Sequence, residues 1–250
     1  MPTTIITGAS SGLGAEMARQ LAARGWDLAL CARRTDRLEQ LRDEILAKHP
    51  GRRVEIRALD VTDDDAVFEV FRGFRDDVGT IDRVIVNAGL GKGAPLGTGR
   101  HDANRQTAMV NFVAALAQIE AAMEIFRAQK RGHLVVISSV TAMRGMRKTI
   151  TTYAATKAGV AALAEGVRHE MLGEPDLDIR VSTIYPGYIR SEMNERVSHT
   201  PFIVDTEPGV RAMVEAIEKE KANALVPPWP WVPLGRAIRH LPLSVVRRLV

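Results

Sequence analysis

An α/β fold with one parallel sheet, doubly wound so that helices cover both faces, is predicted by three observations. Apolar runs of strand length alternate with amphipathic helical stretches from the first residues to about residue 226. No internal repeat or low-complexity linker interrupts that alternation. A glycine-rich turn, 8–14, joins the first apolar run to the first helical stretch. The chain has 250 residues, 46% hydrophobic and 26% charged, which suits one domain with a sizeable core and excludes disorder.

The elements follow in order. Thr3–Thr7 reads as the first strand, and Ser11–Arg24 as a helix stopped by Gly25. Leu28–Arg33 is the second strand, after which Thr35 or Asp36 can cap a helix ending before His49-Pro50-Gly51. Val54–Leu59 is the third strand, closed by Asp60, and Thr62–Asp76 is helical. Val84–Asn87 is a buried strand, and a long alanine-rich helix occupies 102–129. Leu134–Ser138 is the fifth strand, and a second alanine-rich helix starts near Thr152. The sixth strand, Ile179–Tyr185, ends at Pro186-Gly187; a looser segment, 188–207, leads to a helix over 208–221. Short connections and right-handed crossovers turn this order into a Rossmann-type sheet, with its ligand crevice at the carboxyl ends of the strands. Residues 1–226 form that domain and 227–250 a basic tail rich in proline and tryptophan.

Charge and cysteine content exclude several function classes. Residues 222–250 contain Arg236, Arg239, Arg247 and Arg248 and no acid, which accounts for the whole formal charge of +4. The rest is balanced, so no nucleic-acid-binding surface is expected. The single cysteine, Cys31, can form no intrachain disulfide, and no Cys/His cluster has metal-ligand spacing. No metal is expected. The opening residues lack a basic region followed by an apolar stretch and cleavage site, so a cytoplasmic home is expected.

Thr7-Gly8-Ala9-Ser10-Ser11-Gly12-Leu13-Gly14 carries glycines that let the backbone turn tightly and approach a pyrophosphate, whose charge the free N–H groups of the helix N-terminus stabilise. Its spacing is G-x-x-x-G-x-G rather than G-x-G-x-x-G. About 20 positions further, where an acid would bind the ribose hydroxyl of NAD, stand Arg33 and Arg34. A guanidinium suits the 2′-phosphate of NADP, so NADP(H) is the expected cofactor. Asp36, the nearest acid, belongs to the first turn of the next helix. Tyr153 and Lys157 lie one helical turn apart, so the Lys157 ammonium is expected to favour ionisation of the Tyr153 phenol.

Together with Asn87-Ala88-Gly89, Asn111, Ser139 and Pro186-Gly187, in that order along residues 3–226, these motifs resemble the short-chain dehydrogenase/reductase family. The resemblance implies that Tyr153 exchanges a proton with the substrate oxygen while hydride passes to or from the nicotinamide. Ser139 would hydrogen-bond that oxygen, Lys157 would lower the Tyr153 pKa and bind the nicotinamide ribose, and Asn111 would hold a water joining Lys157 to solvent. Asp60 and Val61 match the pair that contacts adenine. Asn87, Ala88 and Gly89 would support the cofactor beside the turn formed by Gly8, Ser10, Ser11, Gly12, Leu13 and Gly14. Pro186, Gly187, Ile189 and Ser191 match the segment at the carboxamide, with Ser191 where threonine is usual. Ser139 precedes Tyr153 by 14 positions, one more than the family pattern, so the loop Thr141–Thr152 carries an insertion. Neighbouring strand residues face opposite ways, so only one of Ser138 and Ser139 can serve; Ser139 holds the second place of the pair.

The substrate pocket is expected from Leu90–Leu96, Thr141–Met143, Tyr188 and Met193–Phe202, side chains that suit a small apolar ketone, aldehyde or secondary alcohol. Arg144, Arg147 and Lys148 form a basic loop beside it, which either is simply solvated or steers an anionic acyl thioester, the substrate of a lipid-pathway 3-ketoacyl reductase. The tail can lie on anionic lipid as a peripheral membrane contact, pack over the pocket, or join subunits. The resemblance also implies a homodimer or homotetramer. A non-catalytic dinucleotide sensor on the same fold would dispense with Ser139, Tyr153 or Lys157, and this chain has all three.

Overall fold

A computed structural model describes residues 1–193 and 202–249. Seven strands form one sheet: β1 (Thr3–Thr7), β2 (Asp27–Ala32), β3 (Val54–Ala58), β4 (Arg83–Val86), β5 (Arg131–Ile137), β6 (Asp178–Pro186) and β7 (Asn223–Val226). Every pairing is parallel and the order is β3-β2-β1-β4-β5-β6-β7. The chain winds outward from β1 to β3 and returns to β4, which opens a crevice at the carboxyl ends of β1 and β4.

Helices α1 (Gly12–Ala23), α2 (Thr35–Lys48) and α7 (Thr206–Glu218) cover one face; α3 (Asp64–Val78), α5 (Ala114–Gln129) and α6 (Thr151–Leu172) cover the other. The strands are apolar on both sides for that reason. In β5, Val135 and Ile137 pack into the first layer, whereas Leu134 and Val136 pack into the second with Phe71, Phe74 and Phe126. Each such side chain removed from water stabilises the fold by about 1.5–3 kcal/mol. Cys31 also faces the second layer, and burial pushes its thiol up to about 12, which removes it from nucleophilic chemistry.

The long helix comprises α4 (His101–Ala108) and α5, joined by a π-helical turn, Met109–Val113. Its length and apolar character would allow it to cross a membrane, yet most of its apolar window is buried against α3, β5 and α6.

Several expected boundaries move. Neither Thr35 nor Asp36 caps α2: Thr35 is its first residue, and Arg34 holds the cap position without a side-chain bond. Asp36 does lie in the first turn. Helix α3 starts at Asp64, because the Asp63 carboxylate accepts the Ala66 N–H at 3.1 Å. β5 stops at Ile137, and β7 is an added strand, between the helix expected over 208–221 and the tail, that the sequence reading did not assign. The tail itself folds as α8 (Pro228–His240) and α9 (Leu243–Leu249). Trp231, Ile238 and Val246 are buried, with the Trp231 ring edge-on to Tyr188 at 5.3 Å and to Phe202 at 6.3 Å. Of the looser segment expected at 188–207, residues 194–201 lie outside the described residues, as does Val250.

Candidate active site

The glycine turn shapes one end of a cavity of about 1190 Å³. Gly8 has φ +65°, a region in which side-chain-bearing residues are strained. At Gly14 a Cβ would stand 2.5 Å from the Gly8 carbonyl oxygen, so only glycine lets α1 begin this close to β1. Thr7 ties the turn to β4. Its hydroxyl oxygen accepts the N–H groups of Asn87 (3.0 Å) and Ala88 (3.1 Å), while Asn87 Nδ2 donates to the Thr7 carbonyl at 2.9 Å. Gly8, Ser10, Ser11, Gly12, Leu13 and Gly14 all line the cavity. Asn87, Ala88 and Gly89 line it from β4.

At the far end of this groove Arg33 stands 4.0 Å from Asp60, and Val61 lines the same wall. Arg34 turns back toward the glycine turn, donating to Ser10 Oγ at 3.3 Å and Ser11 Oγ at 2.7 Å. This arrangement of guanidinium, hydroxyls and helix N-terminus fits the phosphorylated adenosine half of a nicotinamide dinucleotide. Arg37, one turn along α2, and Glu192, in the segment after β6, complete the cluster. Arg34 Nη2 lies 3.1 Å from Glu192, which also pairs with Arg37. Neither residue is marked by a local sequence pattern.

Ser139, Tyr153 and Lys157 meet at the other end. Ser139 follows β5, whereas Tyr153 and Lys157 lie on the first turns of α6. Ser139 Oγ accepts from the Thr141 N–H at 3.2 Å and from Thr141 Oγ1 at 3.0 Å. Both of its lone pairs are therefore used, which leaves its hydrogen to donate toward the Tyr153 phenol, an interaction that acts to lower the phenol's pKa. Ser138 is committed elsewhere, donating to the Lys157 carbonyl at 2.7 Å. The structure thus separates the two serines, although β5 has already ended at Ile137 and neither lies in the strand.

Lys157 is buried and donates to the Ile137 carbonyl at 2.8 Å, its Nζ 5.9 Å from the centre of the Tyr153 ring. Burial lowers its pKa to about 8. Here one expectation fails. The Tyr153 pKa is raised, not lowered: burial dominates, Tyr188 adds to it, and the Ser139 hydrogen bond only partly opposes it. The ammonium points at a backbone carbonyl instead of the phenol oxygen.

Asn111 occupies the π-helical turn, which aims its side chain across at the loop after β4. Its Oδ1 accepts the Leu90 N–H at 2.7 Å, and its Nδ2 donates to the Leu90 carbonyl at 2.9 Å and Thr156 Oγ1 at 3.4 Å. A Cβ on Gly89 would lie 3.5 Å from both Asn111 Oδ1 and Lys157 Nζ, so these two groups flank Gly89.

Pro186, Gly187, Ile189 and Ser191 line the cavity where the nicotinamide half would sit. Ile189 is buried and bridges to Val204, while a Cβ on Gly187 would stand 1.9 Å from the Trp231 ring. Leu90, Gly91, Thr141, Tyr188 and Met193 line the pocket as expected. Residues 92–96 and 142–143 do not, and the rest of the Met193–Phe202 expectation falls largely outside the described residues. Gly145–Ile150 supply further wall, including Arg147 and Lys148 of the basic loop expected beside the pocket, and Leu243, Val246 and Arg247 show the tail packing over it, one of the three placements open to it.

The profile of the short chain dehydrogenase family matches residues 2–201. An uncharacterised oxidoreductase of Mycobacterium tuberculosis is 51% identical over 244 residues, 98% of this chain and 95% of that protein. A short-chain dehydrogenase from Sphingobium yanoikuyae in complex with NADPH superposes with a TM-score of 0.82 at 27% identity, covering 99% of this chain and 94% of the other. A short chain dehydrogenase/reductase from Burkholderia phymatum in complex with NAD has the same fold, with a TM-score of 0.84 at 21% identity over 98% and 94% of the two chains. A parallel seven-stranded sheet, a glycine turn at its switch point and a serine, tyrosine and lysine gathered beyond it accompany these matches, and the chain belongs to the short-chain dehydrogenase/reductase family of oxidoreductases.

Proposed function

We propose that this oxidoreductase uses NADP(H) to interconvert a carbonyl and a secondary alcohol on a largely apolar substrate. The observation that carries this reading is the single cavity: Ser139, Tyr153 and Lys157 line one end and Arg33, Arg34, Ser10 and Ser11 the other. When bound, the cofactor supplies or accepts the hydride at its nicotinamide ring. Arg33 and Arg34 would hold its 2′-phosphate, the glycine turn its pyrophosphate, and Lys157 its nicotinamide ribose. The Tyr153 phenol, its pKa raised by burial, is protonated at neutral pH as an ordinary phenol is, and can donate to a carbonyl oxygen; reduction follows as the working direction if NADPH is the cofactor. Ser139, its lone pairs taken by Thr141, would turn its hydrogen from the Tyr153 phenol to the same oxygen when substrate binds. The Lys157 ammonium beside the ring offsets the charge left on the phenol after transfer.

Arg147, Lys148 and Arg247 line the same cavity. They favour a second reading within the same chemistry: an apolar substrate carrying an anionic group, such as a 3-ketoacyl thioester. The exposed apolar residues Phe112, Val113 and Leu116 on the long helix support a homodimer or homotetramer. Lipid contact through the tail would have to use side chains other than Trp231, Ile238 and Val246, which the protein body already buries.

Two measurements test the reading. Thermal-shift titrations with NADPH and NADH side by side should show stabilisation by NADPH at lower concentration; equal stabilisation by both would refute phosphate selection. Tyr153→Phe should lose about 10²–10⁴ in turnover while keeping its NADPH affinity, and full activity in that variant would refute the proton-transfer role.

A further inference from the structure

Nothing in the family pattern assigns Glu192. The side chains on either side fix where it stands: a Cβ on Gly12 would touch Ser191 Cβ at 3.4 Å, and one on Gly91 would overlap the Met193 side chain. Residues 191–193 therefore cross the groove from the glycine turn to the loop after β4. Between those two anchor points the Glu192 carboxylate reaches Arg34 Nη2 at 3.1 Å and pairs with Arg37. The same Arg34 nitrogen also donates to Ser11 Oγ at 2.7 Å. These pairs hold the carboxyl near 2, so it carries its charge at every working pH.

NADPH and NADH differ only in the 2′-phosphate, which brings about −1.5 to −2 charges and needs the donors of a guanidinium fork. A carboxylate satisfies the same fork. We propose that Glu192 is a specificity-determining residue that competes with the 2′-phosphate for Arg34 and Arg37, weakening NADPH binding while leaving NADH binding nearly untouched. The proposal rests on Arg34 serving the phosphate. A phosphate entering beside Arg34 must displace the carboxylate or share the guanidinium with it, and two anions at that distance repel. NADH brings no group that contests the pair. Glu192 thereby narrows the gap between the two cofactors that the arginines would otherwise open.

The test is calorimetric titration of wild type, Glu192→Gln, Glu192→Ala and Arg34→Ala with NADPH and with NADH, with no turnover required. Both Glu192 variants should bind NADPH about three- to tenfold more tightly, the range expected from two exposed ion pairs, with NADH changed less than about twofold. The gain should shrink at high salt, where the screening length falls from about 10 Å at 0.1 M to about 3 Å at 1 M. Unchanged NADPH affinity, or equal weakening for both cofactors, would overturn the competition and make Glu192 an ordinary tether. Arg34→Ala separates the two claims. If it loses NADPH affinity while the Glu192 variants do not gain any, only the competition falls; if it loses none, the phosphate reading falls and the competition with it.

Discussion

Lys157→Met should make the cofactor-free protein more stable at neutral pH while destroying its chemistry. Lys157 is buried, and desolvation has brought its pKa from the ordinary 10.5 to about 8. That difference corresponds to about 3 kcal/mol borne by the folded state whenever the ammonium is charged. Against it stands the hydrogen bond to the Ile137 carbonyl at 2.8 Å, whose loss costs about 1–3 kcal/mol. A methionine of similar shape should therefore gain up to about 2 kcal/mol at pH 7, a rise in Tm of at most about 4–8 °C for a chain of this size. The sign reverses with alkali. Because the folded pKa lies below the unfolded one, the unfolded chain holds the extra proton between about pH 8 and 10.5, and wild-type stability rises through that window. The advantage of the variant should disappear by pH 10.5. Calorimetric scans of both proteins from pH 7 to 10.5 cancel the titrations they share. A Tm difference that does not vary with pH would show that Lys157 is not desolvated, and would refute the reasoning.

Three further outcomes are expected. Thr141→Val removes one of the two donors that orient Ser139 and should lower kcat about three- to tenfold without changing NADPH affinity, while Thr141→Ser restores the rate; an unchanged kcat would show that the backbone donor suffices. Trp231→Ala should remove about 3–5 kcal/mol if the tail unfolds with the body, lowering Tm by about 6–20 °C, whereas an unchanged Tm with a raised KM would mean that the tail undocks by itself. Charge reversal at Arg144, Arg147 and Lys148 should raise KM for an anionic substrate and leave NADPH affinity nearly unchanged, and an unaltered KM would reject steering.

The parts of the site legible in the sequence are those whose chemistry is fixed by short spacing. The glycine turn needs its glycines within one strand-to-helix connection, and Gly14 shows why: its Cα faces the Gly8 carbonyl. Tyr153 and Lys157 are one helical turn apart, and Ser138 and Ser139 separate because β5 has ended at Ile137. What was not legible depends on chain segments that meet only in the fold. Glu192 reaches Arg34 and Arg37 across more than 150 residues of sequence. Trp231 finds Gly187 only because β7, four residues between polar and proline-rich stretches, adds a seventh strand beside β6.

Tyr153 shows the same division within one residue pair. Helical spacing fixes that Lys157 stands near the ring, but solvation decides which way the phenol titrates, and solvation comes from elsewhere. The Ile137 carbonyl that draws Lys157 Nζ lies at the end of β5, and the Asn111 side chain flanking Gly89 comes from a π-helical turn that packs on α6 but is distant from it in sequence. Spacing alone predicts a lowered phenol pKa; in the environment that the fold assembles, burial outweighs the Ser139 interaction and raises it instead.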